Sequence, residues 1–169
     1  MSRRLALLRH AKSDWDSTAA DFDRPLNKRG RQDAPRVGRW LRTRDWHSGL
    51  VLSSPALRAR QTIETVLEQA GLETIDVQWD EGLYLASRTT LLDRIRGLPA
   101  TTDSALLVGH NPGLEELLEY LSRTPVPTTG SGKVFTTANL ALLRLDGDWK
   151  DADRGCAELL KLVRPRDLD

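Results

Sequence analysis

The sequence predicts an α/β domain of three layers, a mostly parallel central sheet with helices on both faces. Three observations predict it. Residues 4–8, 49–52 and 105–108 are short apolar runs without alternation, the pattern of strands covered on both sides. Stretches with helical spacing alternate with them: Val37, Trp40 and Leu41, then Ile63, Val66 and Leu67, then Leu114, Leu117, Leu118 and Leu121. Each apolar run also ends abruptly in polar residues able to do chemistry, at the sheet edge where open parallel sheets bind ligands.

In chain order, the first strand is residues 4–8, and Asn27 follows as a helix cap. Pro35 and Gly38 fall inside the helix that Asn27 would start, which predicts a kink or a later start. The second strand and second helix come next, then the third strand and a helix that Pro112 opens. Residues 123–133, rich in Thr, Pro and Gly, predict a surface flap leading to a late strand at 140–145. A short strand at 159–163 and an exposed polar tail, 164–169, end the chain. No internal repeat or low-complexity segment interrupts this order.

A length of 169 residues suits one domain, 1–169, with a single core. The 25 Lys and Arg nearly balance 24 Asp and Glu, so anion binding must be local, and neither nucleic acid nor a membrane is expected as partner. Residues 1–10 hold too short an apolar run for a signal peptide or a membrane span, which makes the cytoplasm the expected location. Cys156 is the only cysteine, so no internal disulfide and no thiol zinc site can form. It is expected as a small buried side chain on a late strand.

Three polar tips are expected to converge: Arg9-His10-Ala11-Lys12-Ser13, Ser53-Ser54-Pro55-Ala56-Leu57-Arg58, and Gly109-His110-Asn111-Pro112-Gly113. They suit a phosphate ester, which needs a nucleophile and compensation for charge on three equatorial oxygens. Imidazole is partly unprotonated near neutral pH, and phosphorylation on nitrogen divides hydrolysis into two easier steps. Arginine meets phosphate oxygens two at a time and stays charged throughout. Helices opening near Pro55 and Pro112 would add backbone donors. The arginines argue against a metal centre, because they repel a cation.

Leu7-Leu8-Arg9-His10-Ala11-Lys12-Ser13, Ser53-Ser54-Pro55-Ala56-Leu57-Arg58-Ala59-Arg60-Gln61-Thr62 and Val108-Gly109-His110-Asn111-Pro112-Gly113 resemble the signatures of the histidine phosphatase superfamily. The likeness is nearest to its small phosphohistidine phosphatase branch, the SixA-type proteins. Pro25-Leu26-Asn27-Lys28-Arg29-Gly30, residues 133–142 and Val163-Arg164-Pro165-Arg166 are similar to that branch too, so the resemblance spans nearly the whole chain.

The resemblance implies a phosphoglycerate mutase-like fold, His10 as the phosphorylated nucleophile, Arg9 and Arg58 as phosphate ligands, and His110 on the phosphoryl oxygens. It also implies a mechanism without metal or cofactor. Glu81 is the expected general acid, ahead of Asp80, and Ser13, Lys12 and Asn111 are expected to add phosphate contacts. Two positions depart from the pattern. Ala11 stands where most of the superfamily has the glycine of its Arg-His-Gly motif, which matters only if that backbone needs positive φ. Asp16 stands where mutase-like members have asparagine, and its charge disfavours mutase activity. His47 falls away from the strand tips and is left out of the site, while the five tryptophans are expected in core or rim packing.

The expected function is removal of a phosphoryl group from protein phosphohistidine through His10. The short segment 81–104 leaves little chain for a lid, which suits a protein-borne substrate. Two alternatives stay open: a phosphomonoesterase or mutase for small metabolites, and a phosphate-binding module without catalysis.

Overall fold

The computed structural model of the chain describes residues 2–44, 46–47 and 49–168. Asp45, which neighbours His47, and Asp169, which ends the predicted tail, lie outside the described residues. Among the described residues six strands form one sheet: β1 (Ser2–Arg9), β2 (Leu50–Ser53), β3 (Val77–Trp79), β4 (Ser104–Gly109), β5 (Leu140–Asp146) and β6 (Ala157–Val163). Their order is β3-β2-β4-β1-β5-β6. The pairings of β3 with β2, β2 with β4 and β4 with β1 are parallel, and those of β5 with β1 and β6 are antiparallel. Thus β5 alone runs against the others, and the sheet is mostly parallel as the apolar runs predict.

The helices are α1 (Lys28–Thr43), α2 (Leu57–Ala70), α3 (Arg88–Arg96) and α4 (Gly113–Leu121). Alternation along β1 divides the core between the two faces. Leu5 and Leu7 join a cluster with Leu91 and Ile95 of α3 and Leu114 and Leu118 of α4. Ala6 and Leu8 join one with Val37 and Leu41 of α1 and Ile63 and Val66 of α2. Each fully buried leucine contributes roughly 1.5–3 kcal/mol. Continuous leucine runs are needed because both faces are covered.

Three local results refine the sequence reading. Helix α1 starts at Lys28 without delay, because Asn27 Oδ1 accepts the Gly30 N–H at 2.9 Å, and it runs on through Pro35. Gly38 is required by helix packing, since a Cβ there would stand 2.6 Å from the Val66 carbonyl oxygen of α2. β3 and α3 were not foreseen. β3 is three residues of a sheet edge with only Val77 packed on the core, so it carries no apolar run. α3 does carry a signal, the Ser87 cap on Thr90 N–H and the buried pair Leu91 and Ile95. Cys156 is half-buried against the core and precedes β6 by one residue, a correction to its expected place inside a strand.

Register brings the strand tips level. Arg9 pairs with Gly109 and Ser53 with Val108, so His10 and His110 follow level with each other at the carboxyl edge of the sheet and Ser54 one residue lower.

Candidate active site

His10 leaves β1 and is 7% exposed. Its Nδ1 lies 2.7 Å from the Ala11 carbonyl oxygen, which can only accept, so the ring proton sits on Nδ1 and Nε2 keeps its lone pair. Ala11 is fully buried in the core and does not have positive φ, so its methyl replaces glycine without strain. The Thr62 hydroxyl accepts the Ala11 N–H at 2.9 Å and donates to the Arg58 carbonyl at 2.7 Å, tying the His10 loop to α2. Gly30 closes the loop from the other side, with Lys12 O only 2.2 Å from where a Cβ would stand.

His110 follows β4, its ring centroid 5.2 Å from that of His10. Ser54 Oγ accepts the Ala56 N–H at 3.3 Å and lies 2.7 Å from His110 Nε2, to which its hydrogen can be given. With Ser54 as the donor His110 carries its proton on Nδ1, and that buried atom has no protein partner. Burial first, then the neighbouring cations, pushes both imidazoles down to about 3, against a backbone bond to Ala11 for His10 and the Asp21 charge for His110. Both rings are therefore neutral at neutral pH.

Arg58 sits in the first turn of α2, which begins at Leu57, two residues beyond Pro55. It is 2% exposed and gives Nη1 to the Asp21 carbonyl at 2.6 Å and Nη2 to Asp21 Oδ2 at 3.1 Å. Arg9 gives Nη1 to the Phe135 carbonyl at 3.1 Å, and burial lowers its pKa against the opposing charge of Glu115. The Nε–H groups of Arg9 and Arg58 are buried without a partner, like His110 Nδ1.

These four side chains line one cleft of about 260 Å³ with Ser13 and Asn111, so the tips predicted from sequence do meet. Ser13 Oγ accepts Arg24 Nε at 3.0 Å. Asn111 is held at both ends, its Nδ2 donating to the Phe135 carbonyl at 2.7 Å and its Oδ1 accepting the Glu115 N–H at 3.2 Å. It supports the loop that opens α4.

Glu81 does not line the cleft; it is exposed in the 3-10 turn Glu81–Leu83. Asp80 caps that turn and pairs with Arg94 Nε at 2.5 Å, facing α3. Asp16 is exposed and lines nothing. The carboxylate that does enter is Asp21, in the 3-10 turn Asp21–Asp23, and it was not foreseen. Its oxygens take the Tyr84 hydroxyl, Arg58 and Arg24 Nη1, the last at 2.7 Å. The Tyr84 hydrogen bond first, then the Arg58 bond and the charges of Arg58 and Arg24, holds Asp21 down at about 2 despite partial burial. Arg24 is a further unforeseen cation of the cleft, 8% exposed. The only sequence hint of either was an Asp and an Arg three apart before the Pro25-Leu26 motif.

A wider groove of about 610 Å³, lined by Arg88, Glu116, Tyr120 and Arg154 among others, contains no histidine and no convergent unpaired donors. Among the described residues no three His, Cys, Asp or Glu side chains are grouped to hold a metal ion, and no helix is long and apolar enough to cross a membrane.

Comparison with known proteins bears on the family and the fold. A family model of the histidine phosphatase superfamily, branch 1, matches residues 5–84. An uncharacterized protein of Mycobacterium tuberculosis is 36% identical over 163 residues, 94% of this chain and 100% of its own length. A structure assigned as the phosphohistidine phosphatase SixA of Nakamurella multipartitia superposes with a TM-score of 0.81 at 29% identity, covering 98% of this chain and 97% of that one. Its counterpart from Agrobacterium tumefaciens gives 0.78 at 29% identity, covering 96% and 98%.

Proposed function

The chain belongs to the histidine phosphatase superfamily, and from that premise we propose that it hydrolyses protein phosphohistidine through a phosphoryl group carried on His10, without a metal ion. One observation carries the proposal: a neutral His10 Nε2 shares a cleft with three side chains whose buried N–H groups have no partner, Arg9 Nε, Arg58 Nε and His110 Nδ1. An unpaired buried donor costs about 1–3 kcal/mol. A phosphoryl group in the cleft would meet the two guanidinium groups and the imidazole ring that carry these atoms.

In the first step the Nε2 lone pair attacks phosphorus while the bond to the leaving nitrogen breaks. Arg9, Arg58 and the Nδ1–H of His110 hold the three equatorial oxygens as charge redistributes. In the second step water attacks phosphorus, the bond to Nε2 breaks and returns its electron pair to the ring, and inorganic phosphate leaves while the proton that water sheds passes to solvent.

The choice of a nitrogen leaving group rests on the acid. Neither Glu81 nor Asp80 reaches the cleft, and Asp21, which does, is ionised at neutral pH. An alkoxide would need a proton that no carboxyl group here is poised to give. The imidazole of a phosphohistidine departs without one when its other nitrogen is already protonated.

The test is a panel with chelator present: a phosphohistidine carrier protein, a sugar phosphate and an aryl phosphate, with label trapped on the enzyme and mapped. Acid-labile label on His10 and turnover of the carrier protein are expected. Turnover of small esters alone overturns the protein substrate, and phosphate binding with no turnover of any compound overturns catalysis.

A further inference from the structure

The mouth of the cleft bears side chains that the phosphoryl chemistry does not use. Trp15 is 75% exposed and Leu85 56%, and both line the opening. Phe22, 37% exposed, stands edge-on to Tyr84 with ring centroids 5.1 Å apart. Among the described residues, the other exposed large apolar side chains are only Trp79 and Leu160. Two of the five thus line one small cleft, and a third, Phe22, directly follows Asp21 of its lining.

These side chains are held in place although solvent surrounds them. The Arg24 guanidinium lies 3.8 Å from the centre of the Trp15 ring, and Arg24 is itself fixed by Asp21 and Ser13. Leu85 has φ of 51°, a left-handed conformation unfavourable for leucine, so its neighbours impose an arrangement that keeps an apolar side chain in water.

Size and charge limit what could cover this rim. The cleft, at about 260 Å³, is smaller than the roughly 300–1,000 Å³ that encloses a drug-sized ligand. It takes a phosphoryl group and little more than the ring that bears it, so the rest of the substrate must lie on the rim. Beyond the polar lining of Lys12, Ser13, Asn111 and Thr137 the rim offers an indole, a phenyl ring and an isobutyl group, which suit apolar side chains and give hydroxyl or carboxylate groups no hydrogen bond. The segment carrying Trp15 and Phe22 also bears Asp14, Asp16 and Asp23, which outnumber its exposed cation Lys12, Arg24 being paired with Asp21, and which attract basic side chains.

We propose that Trp15, Phe22 and Leu85, flanked by Asp14, Asp16 and Asp23, form a docking rim for a protein surface that presents its phosphohistidine among apolar and basic side chains. The inference rests on the phosphatase reading above and assigns the partner's surface chemistry.

The experiment compares the full chain with Trp15→Ala, Leu85→Asn and, as a control on the far edge strand, Leu160→Ser. Asparagine tolerates positive φ, so Leu85→Asn removes the apolar group without a new backbone penalty. Two probes share the same scissile bond: a helical carrier protein with phosphohistidine among leucines and lysines, and free phosphohistidine. Each rim variant is expected to lower kcat/KM on the carrier about tenfold, through KM, as loss of an interface anchor does. On free phosphohistidine each rim variant should stay within about twofold, and the control should do so on both probes. A sister carrier with glutamates for the lysines should be a poorer substrate, and salt should narrow the difference. Equal losses on both probes, or none on the carrier, overturn the rim. If the unmodified chain hydrolyses free phosphohistidine but not the carrier, the rim falls and the nucleophile stands; if it hydrolyses neither, both fall.

Discussion

Replacing Asp21 by asparagine should tighten binding of inorganic phosphate. Both terminal nitrogens of Arg58 are engaged by Asp21, one through its backbone carbonyl at 2.6 Å and one through Oδ2 at 3.1 Å. An arriving dianion must therefore displace the carboxylate from Arg58, whereas the backbone bond survives the substitution. A hydrogen bond to a charged group is worth roughly 1.5–3 kcal/mol, but Asp21 is 43% exposed and solvent screens the pair toward the surface range of at most about 1 kcal/mol. Taking about 1 kcal/mol, Kd should fall about fivefold at pH 7, and loss of carboxylate–phosphate repulsion acts in the same direction. Titration calorimetry at low salt measures this, and the difference should shrink at 1 M salt, where the Debye length is about 3 Å. Stability should move the opposite way. A carboxyl held at about 2, below its ordinary 3.8, contributes stability that is present above pH 3.8 and lost as pH falls through 2. The asparagine variant should thus melt lower at pH 7, with the gap closing toward pH 2. Unchanged or weaker phosphate binding would refute the view that Asp21 occupies part of the oxyanion site.

Arg58→Lys keeps the charge and loses the fork, so kcat/KM should fall about 100- to 1,000-fold while label still appears on His10; an unchanged rate would remove Arg58 from the transition state. Nitrogen-15 spectra of the His10 ring should keep the neutral Nδ1–H pattern from pH 8 down to pH 5, whereas titration near 6.5 would contradict the burial assigned to it. Because both histidines are held near 3 in the fold, they leave stability unaffected above about 6.5 and erode it as pH falls from there toward 3, which denaturant melts across that window can follow. Gly30→Ala would force a methyl to within 2.2 Å of Lys12 O, and a loss of about 1–3 kcal/mol or more is expected together with displacement of the His10 loop; a wild-type melting temperature would show that α1 can yield there.

The sequence was most readable where one physical requirement repeats. Leu5 to Leu8, Val51 to Leu52 and Ala105 to Val108 are buried on both faces, so each run had to be apolar throughout and stood out from its surroundings. His10, Arg9 and His110 at their ends were legible for a related reason, because strand register fixes their height whatever the loops do, whereas Arg58 lies in the first turn of α2. Asp21 and Arg24 had no such signal. They sit in an irregular segment whose position depends on Arg58 gripping a backbone carbonyl and on Ser13 meeting Arg24, contacts that leave no periodicity. The Phe135 carbonyl, which holds both Arg9 and Asn111, is a main-chain atom, and no residue identity announces it. Glu81 was expected from a position in a family pattern, and three residues further along the same turn it is Tyr84 that reaches toward the cleft to bond Asp21.

On the proposed path the same field of charge serves His10 before and after it is phosphorylated. Before transfer, burial and the nearby cations disfavour the imidazolium, so the ring waits as a nucleophile with its lone pair free. After transfer the phosphoryl group brings negative charge against Arg9 and Arg58, and the positive charge gained by the ring is met by the Ala11 carbonyl at 2.7 Å from Nδ1. When water then displaces the ring, His10 departs as neutral imidazole with its proton still on Nδ1, so that step needs no acid. With a phosphohistidine substrate the first leaving group has the same chemistry as the second. A cleft built to exchange phosphoryl between nitrogens would therefore gain nothing from a protonated carboxyl, and the Asp21 carboxylate can stay ionised, holding Arg58 and Arg24 in position until phosphate arrives.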